Sequence, residues 1–463
     1  MSRDWPFYIS ICGLLLIFMS PELFSEGMFL DGAIYTAIAL NLSEGIGSFW
    51  QLEYTETLFT TFREHPPLAI GLQSLFFKAF GNHFWVERIY SLTTIFITGG
   101  VIVLCWRTIT GTFSKAWWPL LMWIFISQVW WAGANNMLEN TMMIFTTLAV
   151  YFLIKELHTN KFYFLILAGF SIYLAFLSKG YFALYIWVFP GAWFVVSKSH
   201  SFQKALSNTF ILVGATLFFA LASFIVFPQS FEMFYTYTHH QVIGSVENVV
   251  TVGSRFFILK AFMESLIIPL ILGGIVYVLG RKRDVVQNHK TLALTLILVA
   301  ICGVFPIMIS LKQRAFYILT VYPIAVLGLG LLTAPFLKPL KKSTVLLWFK
   351  SGSLVLLTLG VGLNIFFWGK LKRSTDLIHD VKAIREVVAP RTTMGICPDI
   401  FNDWGIHANF MRYAKLSLDG ANAYEQKFLL LYPDCKFEGN ISDYKKVNLD
   451  LNYYSLWQKK KIE

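Results

Sequence analysis

Asp31 opens the run Asp31-Gly32-Ala33-Ile34-Tyr35, whose apolar spacing predicts a helix that stops at Gly45. An aspartate in that position has two readings. It is an N-cap whose oxygen accepts the N–H groups of the first turn, or a general base near a membrane surface, where lost water raises its proton affinity. Glu64-His65-Pro66-Pro67-Leu68 comes next. Its prolines fix an extended approach and a sharp helix start. That makes either a plain interfacial turn or a rim on which Glu64 and His65 share a cavity with Asp31. Arg88 lies a few residues into an apolar run, a costly place unless it snorkels, pairs with Glu87 or meets an anion such as a lipid phosphate.

Asn136-Met137-Leu138-Glu139-Asn140 puts a carboxylate about one turn into another apolar run, where it needs a partner or a wet cavity. Lys179, in Leu177-Ser178-Lys179-Gly180, ends the following run, and Lys312, Arg314, Tyr317 and Tyr322 bracket the start of a later one. Each alone is compatible with an interfacial anchor; their common side is the informative feature. His239-His240 suggests a metal together with His65 or Glu64. Adjacent histidines rarely serve one ion, however, and no fixed ligand spacing is present.

The elements that carry these residues are membrane spans. Of 463 residues, 56% are hydrophobic and 14% charged, against about 25% charged in a soluble domain, and the mean hydropathy is +0.59. Apolar runs of spanning length recur at approximately 7–24, 84–106, 116–132, 137–155, 162–178, 181–197, 206–227, 256–280, 291–310, 315–334 and 344–368. The first resembles a signal peptide, but no small-x-small cleavage site follows, so it is read as an uncleaved span. With the amino terminus cytoplasmic, every second loop is basic: Arg107 and Lys115; Lys155 and Lys161; Lys198 and Lys204; Arg281, Lys282, Arg283 and Lys290; Lys338, Lys341 and Lys342. That is the positive-inside pattern, and it accounts for the net charge of +11 without nucleic acid. The run 66–80 is too short to span and would reverse every later loop. It is read as an amphipathic helix in the outer interface, with Lys78 snorkelling.

The outer side then holds the loops 25–83 and 228–255 and most of the unusual polar residues. From Gly369 the hydrophobic density falls, and a helix at 376–388 with strands at 393–396 and 428–431 predicts a small α/β domain. The expected architecture is an all-α polytopic membrane protein of about eleven spans plus juxtamembrane helices (residues 1–369), followed by that α/β domain (370–463). An odd number of spans places the domain outside, where Cys397 and Cys435 could pair.

Taken in order, these pieces resemble the protein O-mannosyltransferase and lipid A aminoarabinose transferase superfamily of membrane glycosyltransferases, with the GT-C fold. The carriers are Asp31…Tyr35, His65-Pro66-Pro67-Leu68, Arg88, Asn136…Glu139, Leu177-Ser178-Lys179-Gly180 and Lys312…Tyr317…Tyr322-Pro323, over roughly residues 1–335. The resemblance implies Asp31 as catalytic base, and it maps the basic residues near a donor phosphate onto Arg88, Lys179, Lys312 and Arg314. Tyr35, Glu64, His65, Asn136, Glu139, Tyr317 and Tyr322 would support substrate. The family often has an acidic pair where this chain has Asp31-Gly32. Glu139 replaces what is commonly Asp, and His65 matches the mannosyltransferase form of its motif.

The expected reaction moves a sugar from a polyprenyl-monophosphate donor to a hydroxyl of a glycolipid, polysaccharide or protein at the periplasmic face of a bacterial inner membrane. Attack from the opposite face implies inversion, with fixed cations stabilising the leaving phosphate. No cofactor is required; a divalent metal at Glu64, His65, His239 or His240 is permitted. The sugar and the acceptor are left open, the loops 45–62 and 228–255 being the expected pocket builders. The competing class is a transporter or flippase, which fits many spans and intramembrane charge, although carriers place their sites near the midplane. A scaffold whose outer domain binds envelope partners is a third, non-catalytic reading.

Overall fold

The computed structural model describes residues 4–198, 201–244, 249–281, 287–337, 343–435 and 439–460. Lys282, Arg283, Lys338, Lys341 and Lys342 of the expected basic loops lie outside the described residues. The chain divides into two compact units that no single cut separates. One is 1–23, 64–69 and 88–367; the other is 24–63, 70–87 and 368–463.

The first unit is helical. Among the described residues, seven helices are long and apolar enough to cross a membrane: Val86–Thr110, Leu138–Thr159, Phe202–Val226, Phe257–Gly280, Lys290–Ile309, Ala315–Phe336 and Leu347–Phe366. The chain is a multi-pass membrane protein. Three further expected spans are apolar helices of shorter length, Trp5–Met19, Tyr163–Lys179 and Tyr181–Ser197. The expected span at 116–132 is instead two helices, Trp117–Ile124 and Ser127–Ala134. Ile126 between them is extended (φ −86°, ψ 115°), which hydropathy cannot register.

Close backbone approach holds these helices together, as expected where lipid removes the hydrophobic drive between them. A side chain at Gly13 would meet the Leu356 backbone at 2.6 Å, and one at Gly360 would meet the Gly13 carbonyl at 2.8 Å. The Asn364 amide donates to the Leu16 carbonyl (2.9 Å) across the same pair of helices. Gly169 does the same work between Tyr163–Lys179 and Phe202–Val226, where an added Cβ would lie 2.6 Å from that of Ala215.

The second unit carries a five-stranded sheet of order β2-β1-β3-β5-β4, with β1 Thr393–Ile396, β2 Ser417–Asp419, β3 Phe428–Leu431, β4 Tyr444–Lys446 and β5 Ser455–Lys459. β1 lies parallel to β2 and β3, and β5 is antiparallel to β3 and β4. Helices Thr375–Arg385 and Trp404–Ala414 pack on it through Val381, Ile384, Ile406 and Phe410 against Met394, Ile396, Leu418 and Leu430. The buried Asp380 carboxylate accepts the N–H groups of Asn452, Tyr453 and Tyr454 and so fixes the approach to β5. Cys397 and Cys435 form a disulfide.

The early segments fold onto this sheet domain. Glu44 pairs with Arg391 and Lys415, Glu26 with Lys382, and Glu87 with Arg412. The Tyr54 hydroxyl donates to the Trp404 carbonyl and the Thr57 hydroxyl to that of Leu418. The segment expected as a short amphipathic helix at 66–80 is the helix Leu68–Phe80, with Lys78 exposed.

Candidate functional site

In the first unit, side chains from five separated stretches meet. Glu139, in the first turn of Leu138–Thr159, is buried and pairs with Lys179, the last residue of Tyr163–Lys179, at 2.8 Å. The Lys179 ammonium also lies 5.6 Å from the Tyr317 ring centroid and 5.9 Å from that of Phe316, within cation–π range. Gly180 then turns at φ +115°, and any Cβ there would strike the Tyr237 ring. The Tyr237 hydroxyl donates to the Lys179 carbonyl (2.9 Å).

Tyr237 begins a π-helical turn, Tyr237–Ile243, a geometry that recurs at functional sites. From that turn Gln241 accepts a hydrogen bond from the Lys312 ammonium (3.1 Å). His65 approaches the Tyr237 ring at 6.4 Å. Burial, with Lys179 and Lys312 nearby, holds its imidazole well below the usual range. Burial pushes the Glu64 carboxyl up, while Lys312 and His240 pull it back. Two ammonium groups, a neutral imidazole and phenol rings therefore share one neighbourhood at one end of the helices. Such a group suits a phosphate monoester, which takes charge and hydrogen bonds together.

Arg88 does not pair with Glu87. It is buried, and its guanidinium donates to the Ala134 carbonyl, while Glu87 pairs with Arg412. Asn136 is buried in a left-handed turn (φ 53°) before the Glu139 helix. Tyr322 is buried and donates to Ser265 (3.0 Å), which in turn donates to Gln128 (3.0 Å), so its hydroxyl serves packing between helices. Arg314 is exposed. His239 and His240 are exposed; the ring of His239 lies against Tyr235, and His240 acts on Glu64 through charge. Among the described residues, no three His, Cys, Asp or Glu side chains gather as metal ligands.

Asp31 and Tyr35 lie in the second unit, on the helix Leu30–Ser43. Phe29 is the capping residue and no side chain caps the helix, so Asp31 is not its N-cap. It stands in the first turn, partly exposed, and its carboxylate makes no hydrogen bond or ion pair among the described residues. Tyr35 is buried.

Three participants were not picked out in the sequence. Tyr237 and Gln241 flank the conspicuous histidine pair. Gln313, between two cations, is fully buried and ties the segment together. Its amide oxygen accepts from the Ile258 N–H (2.9 Å), and its amide nitrogen donates to the Arg255 and Ser310 carbonyls (3.1 and 2.7 Å). A neutral amide interrupting a basic pair in an otherwise apolar chain was the available clue.

Residues 64–227 match the family model described as dolichyl-phosphate-mannose-protein mannosyltransferase. That stretch contains Glu64, His65, Arg88, Glu139 and Lys179, and excludes Asp31 and Lys312. No curated protein matches the chain by sequence. In structure the chain is similar to ArnT from Cupriavidus metallidurans bound to undecaprenyl phosphate, with TM-score 0.68, 13% identity, and coverage of 99% of this chain and 98% of that one. The apo form of that protein gives 0.65 at 14% identity, covering 98% of each chain. The apo oligosaccharyltransferase of Archaeoglobus fulgidus gives 0.50 at 11%, over 92% of this chain and 65% of that longer one. The likeness to these solved structures shows that the chain shares their fold, and the family model matches the stretch 64–227 within it.

Proposed function

We propose that the protein transfers a sugar from a polyprenyl monophosphate to an acceptor hydroxyl on a glycolipid, polysaccharide or protein, with inversion. The observation that carries this reading is the convergence of Lys179 and Lys312 beside Glu139, His65 and Tyr317 at one end of the membrane helices. The donor's phosphate would sit against those ammonium groups, which stabilise the negative charge it gains as the glycosidic bond breaks. Keeping His65 neutral leaves room for this without a further buried cation. Glu139 orients Lys179, and Gln313 holds the backbone that presents Lys312. Arg88 and Arg314 are assigned supporting roles toward the phosphate.

Asp31 is assigned the base that takes the acceptor's proton, a role drawn from the resemblance and supported by its partly exposed carboxylate. The disulfide in the second unit supports an oxidising, periplasmic location for that unit, with the amino terminus cytoplasmic and the protein in a bacterial inner membrane. The test is incubation of membranes with radiolabelled polyprenyl-phosphate sugars, with and without Asp31→Asn. Label should pass to an acceptor class and fall by about 10²–10⁴-fold in the variant, while membrane insertion is unchanged. Full turnover in Asp31→Asn would remove the base assignment. Translocation of the donor without bond cleavage would replace transfer with flipping.

A further inference from the structure

The sheet of the second unit has a topological feature unrelated to the phosphate cluster. The chain leaves β1, passes through Trp404–Ala414 to β2 on one side, then returns past β1 to β3 on the other. In parallel sheets, the crevice outside the carboxyl ends of two strands whose connections diverge this way is the usual ligand position. Here that crevice lies between the ends of β1 and β3.

The residues leaving those two strands are Cys397-Pro398-Asp399 and Tyr432-Pro433-Asp434-Cys435, and the disulfide ties the two exits together. β5 starts from the same end, since Ser455 pairs with Leu431. Tyr453 therefore arrives beside Tyr432, its backbone N–H held by Asp380 at 3.0 Å. The two phenol rings are parallel to within 4°, with centroids 6.2 Å apart. Tyr453 is 52% exposed, and Tyr454 buttresses it edge-on at 4.9 Å. The Tyr432 hydroxyl donates to the exposed Asp399 carboxylate, and Asp434 is close enough to act on the same phenol. The result is a fixed aromatic ledge with carboxylates along its rim.

We propose that this ledge binds a saccharide ring. The apolar face of a pyranose would lie on the exposed Tyr453 ring, which the parallel Tyr432 ring accompanies, and its hydroxyl or amino groups would donate to Asp399. A flat apolar surface with a few fixed acceptors is the composition expected of a small-molecule site, and carboxylates disfavour a phosphorylated ligand. The preference for a sugar over another flat ligand rests on the glycosyltransferase reading. The site shares no residue with the proposed donor-phosphate group and would hold part of a glycan acceptor or product.

The experiment is saturation-transfer NMR on the full-length protein in nanodiscs, with cellotriose, a chitosan trimer and choline as probes. Ring protons of one or both saccharides should receive saturation. Tyr453→Ala and Asp399→Asn should each weaken binding about fivefold to tenfold, whereas Tyr453→Trp should retain or strengthen it. Unchanged resistance of the sheet domain to limited proteolysis reports that each variant is folded. Sugar transfer by the wild-type protein, assayed separately with the labelled donors, tests the transfer reading on its own, so a failure here is distinguishable from a failure of that reading. No saccharide signal in the wild type, signals in Tyr453→Ala and Asp399→Asn equal to those of the wild type, or choline binding as tightly as the sugars would overturn the assignment.

Discussion

Each unit buries an ion pair, and the two pairs are built for different ends. Glu87 and Arg412 meet at 2.9 Å with side chains 2% and 5% exposed. The same guanidinium also donates to the Asn82 side chain and to the His83 carbonyl, so its planar fork is used on several sides. Glu139 and Lys179 meet at 2.8 Å, equally out of water on the carboxylate side. Around that second pair, however, lie Lys312, a half-buried Glu64, aromatic faces and an imidazole kept neutral. A buried ion pair alone does not mark a site. The chemistry gathered around it does: one pair closes a structural circuit, while the other sits among the residues proposed to hold the donor phosphate.

The largest expected effect breaks the structural pair. Glu87→Gln leaves the Arg412 charge buried without its carboxylate and should cost about 3–5 kcal/mol, read as a lower unfolding temperature. Replacing both residues by apolar ones of similar size should recover most of that loss. Lys179→Gln should behave in the opposite way. Removing one cation from the proposed phosphate neighbourhood should lower transfer about 10²–10³-fold, and adding Glu139→Gln should restore packing without restoring turnover. If the double variant regained activity, the two pairs would be of one kind and the contrast would fail.

The covalent tie sharpens the comparison further. Cys435→Ser should destabilise the sheet domain by about 2–4 kcal/mol, seen as faster proteolysis around 397–435, and should leave the phosphate cluster of the other unit chemically intact. The smallest effect is in pH. His65 titrates well below the ordinary imidazole value in the folded chain, so between those two values the unfolded chain binds a proton that the folded chain refuses. Stability should therefore fall as pH drops through that window. Glu64, raised by burial, acts with the opposite sign above the ordinary carboxylate value. The unfolding temperature of wild type should decline more steeply from pH 7.5 to 5 than that of His65→Gln, and identical slopes would contradict the buried, neutral imidazole.

Much of this was legible before any coordinates. Strands at 393–396 and 428–431 stand where they were expected, and the expected helix at 376–388 is Thr375–Arg385. Most apolar runs became helices within a few residues of their expected limits. The break at Ile126 was not legible, because a change of ψ leaves hydropathy untouched. Nor were β2 and β4, each three residues long and too short to show a period.

The family segment, the apolar runs and the candidate residue types were fixed by local composition and order, which a chain displays directly. The partnership of Glu87 with Arg412, 325 residues away, was decided only on folding. So were the meeting of Glu139 with Lys179, the burial of Gln313 and the grouping of 24–63 and 70–87 with the tail. Periodicity reports which face of a segment avoids water; it carries no information about which distant segment will cover that face.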